Sequence, residues 1–461
     1  MQIQPNITYQ NPSGAPPDKA VQSTASDKKE WTVLLYLDGN NNIEGDILNS
    51  FLTSEEVSEH KQMNMLAQLG RAPQSIAHNS YKDEVDGDWD GVRRYVVKQG
   101  EKDPYGSQVW TSLGTHNKKI DSQLVADFGK ADMSSKETLA DFLKWGIKNY
   151  PAKRYMVVLA SHGSGFLGSL TDYKSGKHMS AKEMSSAFRE TEKETGVKPD
   201  VLVMDACLMA QAEPAYEMKD AAKFYVASED VNFDCYPVQK TMEQVHKMMD
   251  EGQEITPEIM AKTIVEKAGE FHHTPAVSAI NTEKLPEMKD TVKNLADALL
   301  STQTDSAVIR SIIKETRNFN IEQPNVKPYS DYKDLGDFVH KLASDSRISD
   351  QNLKTAAVKT LEKLTGEVIA YEAHQSHYDS NGKKAYGMTV YMPSTGFRYD
   401  NWEWNFPYDT NKNEYEGIYR SLNFARETGW DKVIDKFAEN AKPSVKGADV
   451  INSLIGKGKQ K

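Results

Sequence analysis

The pattern of apolar and polar positions predicts alternating strands and helices in the first half of the chain. One helix is predicted at 134–149, where apolar side chains recur at helical spacing and Ser134 or Ser135 ahead of Glu137 is a start signal. A charged stretch at about 180–195 is also predicted to be helical. Short apolar runs of the kind buried in parallel sheets lie at 31–39, 91–97, 154–160, 200–206 and 223–229. The alternation predicts an α/β fold in which helices cover a mainly parallel central sheet.

The second half of the chain has a different pattern. From about 240 to 370 it is mostly helical, with one short strand at 276–280, and another strand is predicted at 386–393. The first residues are rich in Pro, Gln, Ser and Asn and are predicted to be disordered. We therefore predict a disordered leader (1–29), a catalytic core (30–240), a helical region with additional strands (241–395) and a C-terminal helical extension and tail (396–461).

Composition excludes several classes of protein. The 461 residues carry a net charge of −11 without a basic cluster, so nucleic acid is not an expected partner. No apolar run approaches the roughly 20 residues of a membrane span. The N-terminus lacks the cationic and apolar parts of a secretory signal. A cytoplasmic protein, or one exported without a conventional signal peptide, is expected, and no oligomeric state is predicted.

Two strand ends carry reactive side chains. The run at 154–160 leads into Ser161-His162-Gly163, and the run at 200–206 ends in Asp205-Ala206 and is followed directly by Cys207. Ligand sites of open parallel sheets lie beyond the carboxyl ends of the strands. If the two strands are neighbours in the sheet, His162 and Cys207 lie at one edge.

A cysteine and a histidine in this arrangement have two interpretations. A lone cysteine at a strand end is most often a small buried apolar residue, and a histidine before glycine is often a turn residue. An imidazole beside a thiol can instead act as its base and then protonate a leaving amine. His162 precedes Cys207 by 45 residues, about the spacing found in caspases. The joint occurrence favours a nucleophile and its base, whereas Cys235 lies in a polar loop and has no such setting.

These residues carry a resemblance to a known family. The chain resembles the clostripain family of cysteine peptidases, of the caspase-like clan, from Trp31 to about Pro393, and the HG and DAC elements are the specific part of the match. The similar segments are WTVLLYLDGNNNIE, LADFLKWGIKNYPAKRYMVVLASHGSG, DVLVMDACLMAQAE, FYVASED, AVSAIN, YKDLGDFV and YGMTVYMP.

The resemblance implies a caspase-like fold and a role for each matching residue. Cys207 would be the nucleophile, and His162 the general base and acid. The backbone N–H groups of Gly163 and Cys207 would form the oxyanion hole. Asp205 would lie in the pocket for the P1 side chain and favour Arg or Lys, since a recessed carboxylate selects a cation.

Further expectations are less specific. Asp230 and Asp234 follow the strand at 223–229 and are candidates for a second acid in the P1 pocket. Family members commonly cut themselves between His and Cys after a basic residue, which makes Lys174 and Lys177 candidate sites. A weakly active or inactive homologue that binds peptides, and a peptidase with another P1 preference, are the alternatives.

No cofactor is expected to be required for the chemistry. The loop that begins at Asp86 has the first oxygens and the glycine of a calcium-binding loop, but Val97 stands where the glutamate ligand is needed. No metal site is therefore predicted from spacing. Because the resemblance implies that some members need or respond to Ca²⁺, an irregular calcium site is the alternative.

Overall fold

The computed structural model describes residues 28–73, 75–76, 86–87, 89–100, 119–232, 236–270, 276–319, 331–374, 385–393 and 412–438. The strands are β1 (Lys29–Gly39), β2 (Met63–Arg71), β3 (Gly91–Val96), β4 (Gln123–Asp127), β5 (Ala152–Ala160), β6 (Ser169–Asp172), β7 (Lys177–Met179), β8 (Val201–Asp205), β9 (Phe224–Ser228), β10 (Ala276–Asn281), β11 (Tyr332–Asp334), β12 (Ile369–His374) and β13 (Thr389–Tyr391). The helices are α1 (Glu44–Glu55), α2 (Lys136–Asn149), α3 (Ala181–Thr195), α4 (Ala212–Glu217), α5 (Val238–Asp250), α6 (Pro257–Gly269), α7 (Leu285–Ser301), α8 (Ser306–Glu315), α9 (Leu335–Ser344), α10 (Gln351–Lys363), α11 (Lys412–Ser421), α12 (Asn423–Thr428) and α13 (Trp430–Phe437).

The central sheet of the described residues has nine strands in the order β12-β10-β9-β8-β5-β1-β2-β3-β4. Strands β9, β8, β5, β1 and β2 are parallel, and an antiparallel pair extends the sheet on each side. Parallel neighbours need crossover connections, which helices supply here. The predicted α/β fold with a mainly parallel sheet is confirmed.

Strand β1 shows how helices cover both faces of the sheet. Leu34 and Tyr36 belong to the core on the side of α2 and α3, whereas Val33 and Leu35 belong to the core on the side of α1, α5 and α6. Successive side chains of a strand point to opposite faces, so a strand buried on both sides reads as one continuous apolar run. This is the run that the sequence shows at 31–39.

Serine side chains cap α2 and α3, and the cap of α2 confirms the start signal at Ser134 or Ser135. Ser135 is the N-cap of α2, and its side chain accepts a hydrogen bond from Glu137 N–H. Ser180 and Glu183 form a reciprocal capping box at the start of α3. Each satisfies backbone N–H groups that have no partner inside the helix.

The elements predicted from the apolar pattern differ from the structure in several places. The helix predicted to about residue 370 is α10, which ends at Lys363 and continues as a π-helical turn at Leu364–Val368; the chain then forms β12, which pairs with β10 at the sheet edge. The strand predicted at 386–393 is only β13, and it pairs with β11 outside the central sheet. Strand β2 has no counterpart in the prediction, because Asn64 and Gln68 interrupt its apolar pattern. Strand pairing is a long-range contact, which local periodicity does not record.

The C-terminal elements pack against the core through buried polar contacts. Glu213 of α4 is fully buried and accepts hydrogen bonds from Tyr391 N–H at 3.0 Å and from the Tyr419 hydroxyl at 2.8 Å. Trp430 Nε1–H donates to Tyr391 O at 3.0 Å. Tyr391 and Tyr419 also contact the ring of Phe166, in the short 3₁₀ turn Gly165–Leu167. The C-terminal helices therefore support the loop that follows His162.

Glu213 makes the stability of this packing depend on pH. Burial raises the pKa of its carboxyl from 4.5 to about 7. Between these two values the folded chain holds a proton that the unfolded chain releases. The free energy of unfolding therefore falls by about 3 kcal/mol in total as pH rises through this window, and this contribution is constant above it. Glu213→Gln keeps the carbonyl acceptor and removes the ionisation. We expect this variant to lose that part of the pH dependence and to exceed the wild type in stability at pH values above the window, measured by urea unfolding across it.

The matched control is Glu192→Gln, which changes an exposed carboxylate on α3. It should reproduce the wild-type pH dependence. A Glu213→Gln variant with the same slope as the wild type would contradict the role given to this carboxyl.

Candidate active site

The candidate site lies at the carboxyl edge of the central sheet, where β1, β5 and β8 end side by side. β5 pairs in parallel with β1 and with β8, and the register places Ala160 opposite Asp205. The two loops that carry the predicted residues therefore leave the sheet from adjacent positions. His162 and Cys207 lie at one edge, as the sequence analysis required.

Gly163 brings the two loops into direct contact. A Cβ at this position would overlap the carbonyl oxygen of Cys207 and lie 2.9 Å from its backbone nitrogen. Real Cβ atoms do not come so close to backbone, so only glycine fits. The backbones of Gly163 and Cys207 are packed together, and their N–H groups belong to the same small region.

Cys207 is half-buried at the start of a strained turn. Its Sγ accepts a hydrogen bond from Asn232 N–H at 3.3 Å. The pKa of the thiol is raised to about 12, mainly by burial and also by the carboxylates of Asp230 and Asp205, while the Asn232 N–H opposes them. The next residue, Leu208, has φ of +66°, a left-handed conformation that costs a non-glycine residue energy. The resting sulfur is therefore a thiol.

His162 is almost fully buried and is held on two sides. Its Nε2 lies 2.6 Å from Asn42 Oδ1. Its ring stacks on Tyr173, with centroids 6.0 Å apart and planes inclined by 14°. Burial lowers the pKa of His162 to about 4, so the imidazole is neutral at pH 7 and can accept a proton.

The thiol and the imidazole do not yet form a hydrogen bond. In the described part of the chain, Cys207 Sγ contacts Asn232 and His162 Nε2 contacts Asn42. Catalytic hydrogen bonds are often long or poorly aligned before substrate binds. The arrangement places a neutral thiol and a neutral imidazole at one edge of the sheet.

The polar turn after β1 fixes the position of Asn42. The neighbouring Asn41 donates hydrogen bonds to Asp38 O, Ser161 Oγ and Thr171 O at 3.1, 3.1 and 2.9 Å. These bonds tie the end of β1 to the loop that carries His162 and to β6. The turn is thus a rigid part of the site.

The two predicted acids nearest Cys207 are buried beside it. Asp205 Oδ1 accepts hydrogen bonds from Asn232 Nδ2 at 3.1 Å and from Tyr236 N–H at 3.0 Å. Burial raises the pKa of Asp230 to about 6, and its carboxylate accepts a hydrogen bond from Val231 N–H at 2.6 Å. Both acids therefore shape the loop around Cys207 as well as its electrostatics.

Lys174 and Lys177 lie in the β6–β7 hairpin and are exposed. Lys174 Nζ is 3.0 Å from Asp90 Oδ2, and Lys177 Nζ is 3.9 Å from Asp132 Oδ2. Lys174 occupies the turn directly after Tyr173, whereas Lys177 is the first residue of β7. The hairpin therefore connects the candidate cleavage sites to the ring that stacks on His162.

Some predicted positions cannot be compared with the fold. Asp234 and Cys235 lie outside the described residues, as does part of the loop that begins at Asp86. Where the structure describes the chain, no group of three or more His, Cys, Asp or Glu side chains is arranged to hold a metal ion. None of the helices among those residues is long and apolar enough to cross a membrane.

Three residues at the site were missed by sequence reasoning: Asn42, Tyr173 and Asn232. Asn42 had one usable signal, since it closes a run of three asparagines directly after a buried parallel strand. Tyr173 and Asn232 lie in polar loops without a recognisable motif. Only the folded chain brings them to His162 and Cys207.

Comparison with known proteins gives the family. The sequence model of the clostripain family, peptidase family C11, matches residues 36–437. Clostripain from Hathewaya histolytica is 22% identical over 483 residues, which cover 90% of this chain and 86% of the relative.

Solved structures agree with this assignment at the level of the fold. An inactive zymogen of a C11 protease from Parabacteroides distasonis superposes with a TM-score of 0.57 at 18% identity, over 87% of this chain and 98% of the other. A secreted C11 cysteine protease from Bacteroides thetaiotaomicron gives a TM-score of 0.56 at 13% identity, over 88% and 99%. A secreted C11 cysteine protease from Bacteroides thetaiotaomicron in complex with an irreversible peptide inhibitor gives a TM-score of 0.55 at 15% identity, over 87% of this chain and 99% of the other. This chain belongs to the clostripain family of cysteine peptidases, which are hydrolases.

Proposed function

We propose that the chain is an endopeptidase that hydrolyses peptide bonds after Arg or Lys, with Cys207 as nucleophile and His162 as general base and acid. The observation that carries the proposal is the contact of the Gly163 backbone with the Cys207 backbone, which joins the loops at the ends of β5 and β8. The family supports the reaction class.

The chemistry proceeds in two steps. The neutral His162 ring takes the proton of the thiol while Sγ attacks the substrate carbonyl carbon, and the N–H groups of Gly163 and Cys207 donate to the oxyanion. His162 then gives its proton to the leaving amine, which leaves an acyl-enzyme. His162 then takes a proton from water, which attacks the thioester and releases the carboxylic acid product, and the proton returns to Sγ to restore the thiol. The reaction as proposed requires no cofactor. An irregular Ca²⁺ site stays a prediction.

The resting protonation states make activation by substrate necessary. The pKa of Cys207 is raised and that of His162 is lowered, both mainly by burial, so transfer of the proton at rest is unfavourable. A cationic substrate side chain near Asp205 and Asp230 would offset the negative field that raises the pKa of the thiol. Substrate charge would then assist thiolate formation as well as binding.

We propose Asp205 as the main determinant of P1 preference. Its carboxylate precedes Cys207 by two residues and lies close enough to raise the pKa of that thiol. Asp230 contributes to the same field. A buried carboxylate pairs with a guanidinium or ammonium group in a way that a neutral side chain cannot replace.

Self-cleavage is proposed for the β6–β7 hairpin, first after Lys174. This lysine lies in an exposed turn, whereas Lys177 belongs to a strand and its peptide group is less accessible. One similar structure is described as an inactive zymogen, which supports a processing step. Another is described as secreted; the location of this chain, cytoplasmic or exported without a conventional signal, stays a prediction.

The first test compares the wild type with Cys207→Ala on fluorogenic peptides that end in Arg, Lys, Asp or Leu. We expect the wild type to cleave the Arg or Lys peptide and Cys207→Ala to lose about 1000-fold or more in kcat/KM, because the nucleophile is removed. Cys235→Ala is the matched control and should keep its activity. Turnover that survives Cys207→Ala would exclude the nucleophile assignment. Binding of an Arg peptide without turnover by the wild type would favour a peptide-binding module.

The second test concerns Asp205. We expect Asp205→Asn to lower kcat/KM for the Arg peptide relative to the Leu peptide by about 100-fold, since the cation then loses its buried partner. The ratio of the two substrates is the readout, because loosening of the loop around Cys207 lowers both rates together. Asp230→Asn should change the ratio less. An unchanged Arg-to-Leu ratio in Asp205→Asn would assign the P1 preference to other residues.

The third test follows the purified chain on gels over time. We expect the wild type to form two fragments with a new N-terminus at Ser175, Lys174→Gln to be cut more slowly or after Lys177, and Cys207→Ala to stay intact. N-terminal sequencing of the fragments identifies the bond. Two fragments from purified Cys207→Ala would mean that another protease makes the cut.

A further inference from the structure

The contact between Asn42 and His162 determines which ring nitrogen carries the proton. In a neutral imidazole one nitrogen donates and the other accepts. Asn42 Oδ1 can only accept, and it lies 2.6 Å from His162 Nε2. With the amide in this orientation, the hydrogen resides on Nε2 and Nδ1 keeps the lone pair. The opposite rotation of the amide would present its NH₂ group to Nε2 and require the other tautomer.

The surroundings hold Asn42 independently of His162. Asn42 lies between β1 and α1, and its neighbour Asn41 is fully buried with donated bonds to three groups of the site. Asn41 Oδ1 in turn accepts from Ile43 N–H at 3.0 Å. Both flanking residues of Asn42 thus belong to a hydrogen-bonded turn. The amide of Asn42 is therefore presented from a fixed backbone.

We infer that Asn42 is a positioning residue that fixes the tautomer and orientation of His162, so that Nδ1 accepts the proton of Cys207; this rests on the proposed function. The N–H at Nε2 stays bonded to Asn42 while Nδ1 takes up the thiol proton and later gives it to the leaving amine. A carbonyl oxygen orients the ring without a full negative charge. It therefore does not raise the pKa of the imidazole, as a carboxylate would.

Among the described residues few titratable groups face His162, and the Asn42 amide itself does not titrate. Tyr173 covers one ring face, and Cys207 lies on the adjacent loop. Asp38 is reached through Ser161, whose Oγ contacts Asp38 Oδ2 at 3.5 Å and Asn41 Nδ2 at 3.1 Å. The histidine thus has an amide, and no carboxylate, as its hydrogen-bonded partner among the described residues. Replacing that amide by an acid isolates the effect of charge.

The kinetic test uses Asn42→Ala, Asn42→Asp and the control Asn352→Ala, an exposed asparagine on α10. We expect Asn42→Ala to lower kcat by about 100-fold with little change in KM, because the base is no longer held in its productive tautomer. Asn42→Asp keeps the acceptor and should restore most of the activity. Its charge should move the acidic limb of kcat/KM upward by about one pH unit or more. Asn352→Ala should match the wild type.

A second measurement does not depend on turnover. ¹⁵N spectra of histidine-labelled protein, with the His162 signals identified by their loss in His162→Gln, report the tautomer directly. We expect the Nε2–H form in the wild type and a mixture of tautomers in Asn42→Ala. If no peptide is cleaved but the Nε2–H form is found, the proposed function fails and the positioning stands.

Two results would overturn the inference. One is an Nδ1–H tautomer in the wild type, which corresponds to the rotated amide. The other is an Asn42→Ala variant with wild-type kcat and pH profile, or one in which the whole loss is in KM. A folded state common to all variants is checked by their urea unfolding midpoints.

Discussion

The parallel hydrogen bonding of β5 between β1 and β8 is the constraint on which the candidate site depends. Because parallel strands end at the same edge, this pairing brings three loops together that are far apart in the sequence. One supplies Asn42, the next His162 and Gly163, and the last Cys207. Any shift of register would move Ala160 away from Asp205 and separate the imidazole from the thiol.

Burial sets the electrostatics of this edge. It raises the pKa of Cys207 and lowers that of His162, so both groups are neutral at rest. The nearby acids Asp205 and Asp230 also raise the pKa of Cys207 and so oppose a thiolate. In the proposed mechanism, the same negative charge would favour the binding of a basic substrate side chain. The preference proposed for Arg or Lys and the need for activation have the same physical origin.

C-terminal elements pack against the two loops that form the candidate site. Glu213 joins α4, which follows Cys207, to Tyr391 and Tyr419, and their rings pack on Phe166 in the turn after His162. The two candidate loops therefore pack on elements from the last quarter of the chain, which lie within the range of the family match.

The sequence by itself determined the alternation of strands and helices, the start of α2 at Ser134 or Ser135, and the two strand ends that carry His162 and Cys207. These features are local, because apolar periodicity and capping depend on neighbours within a few residues. The resemblance carried by the HG and DAC elements then gave the family. Strand β2 was not predicted, because polar residues interrupt its apolar pattern.

Only the tertiary structure decided which side chains complete the site. Asn42 reaches His162 across 120 residues of sequence, and Asn232 reaches Cys207 across 25. Nothing local marks these pairs, since each depends on the order of strands in the sheet and on the path of a loop. The same holds for β12, whose place at the sheet edge depends on its pairing with β10. Long-range hydrogen bonds are made between surfaces that exist only after the chain has folded, and for that reason the sequence pattern does not contain them.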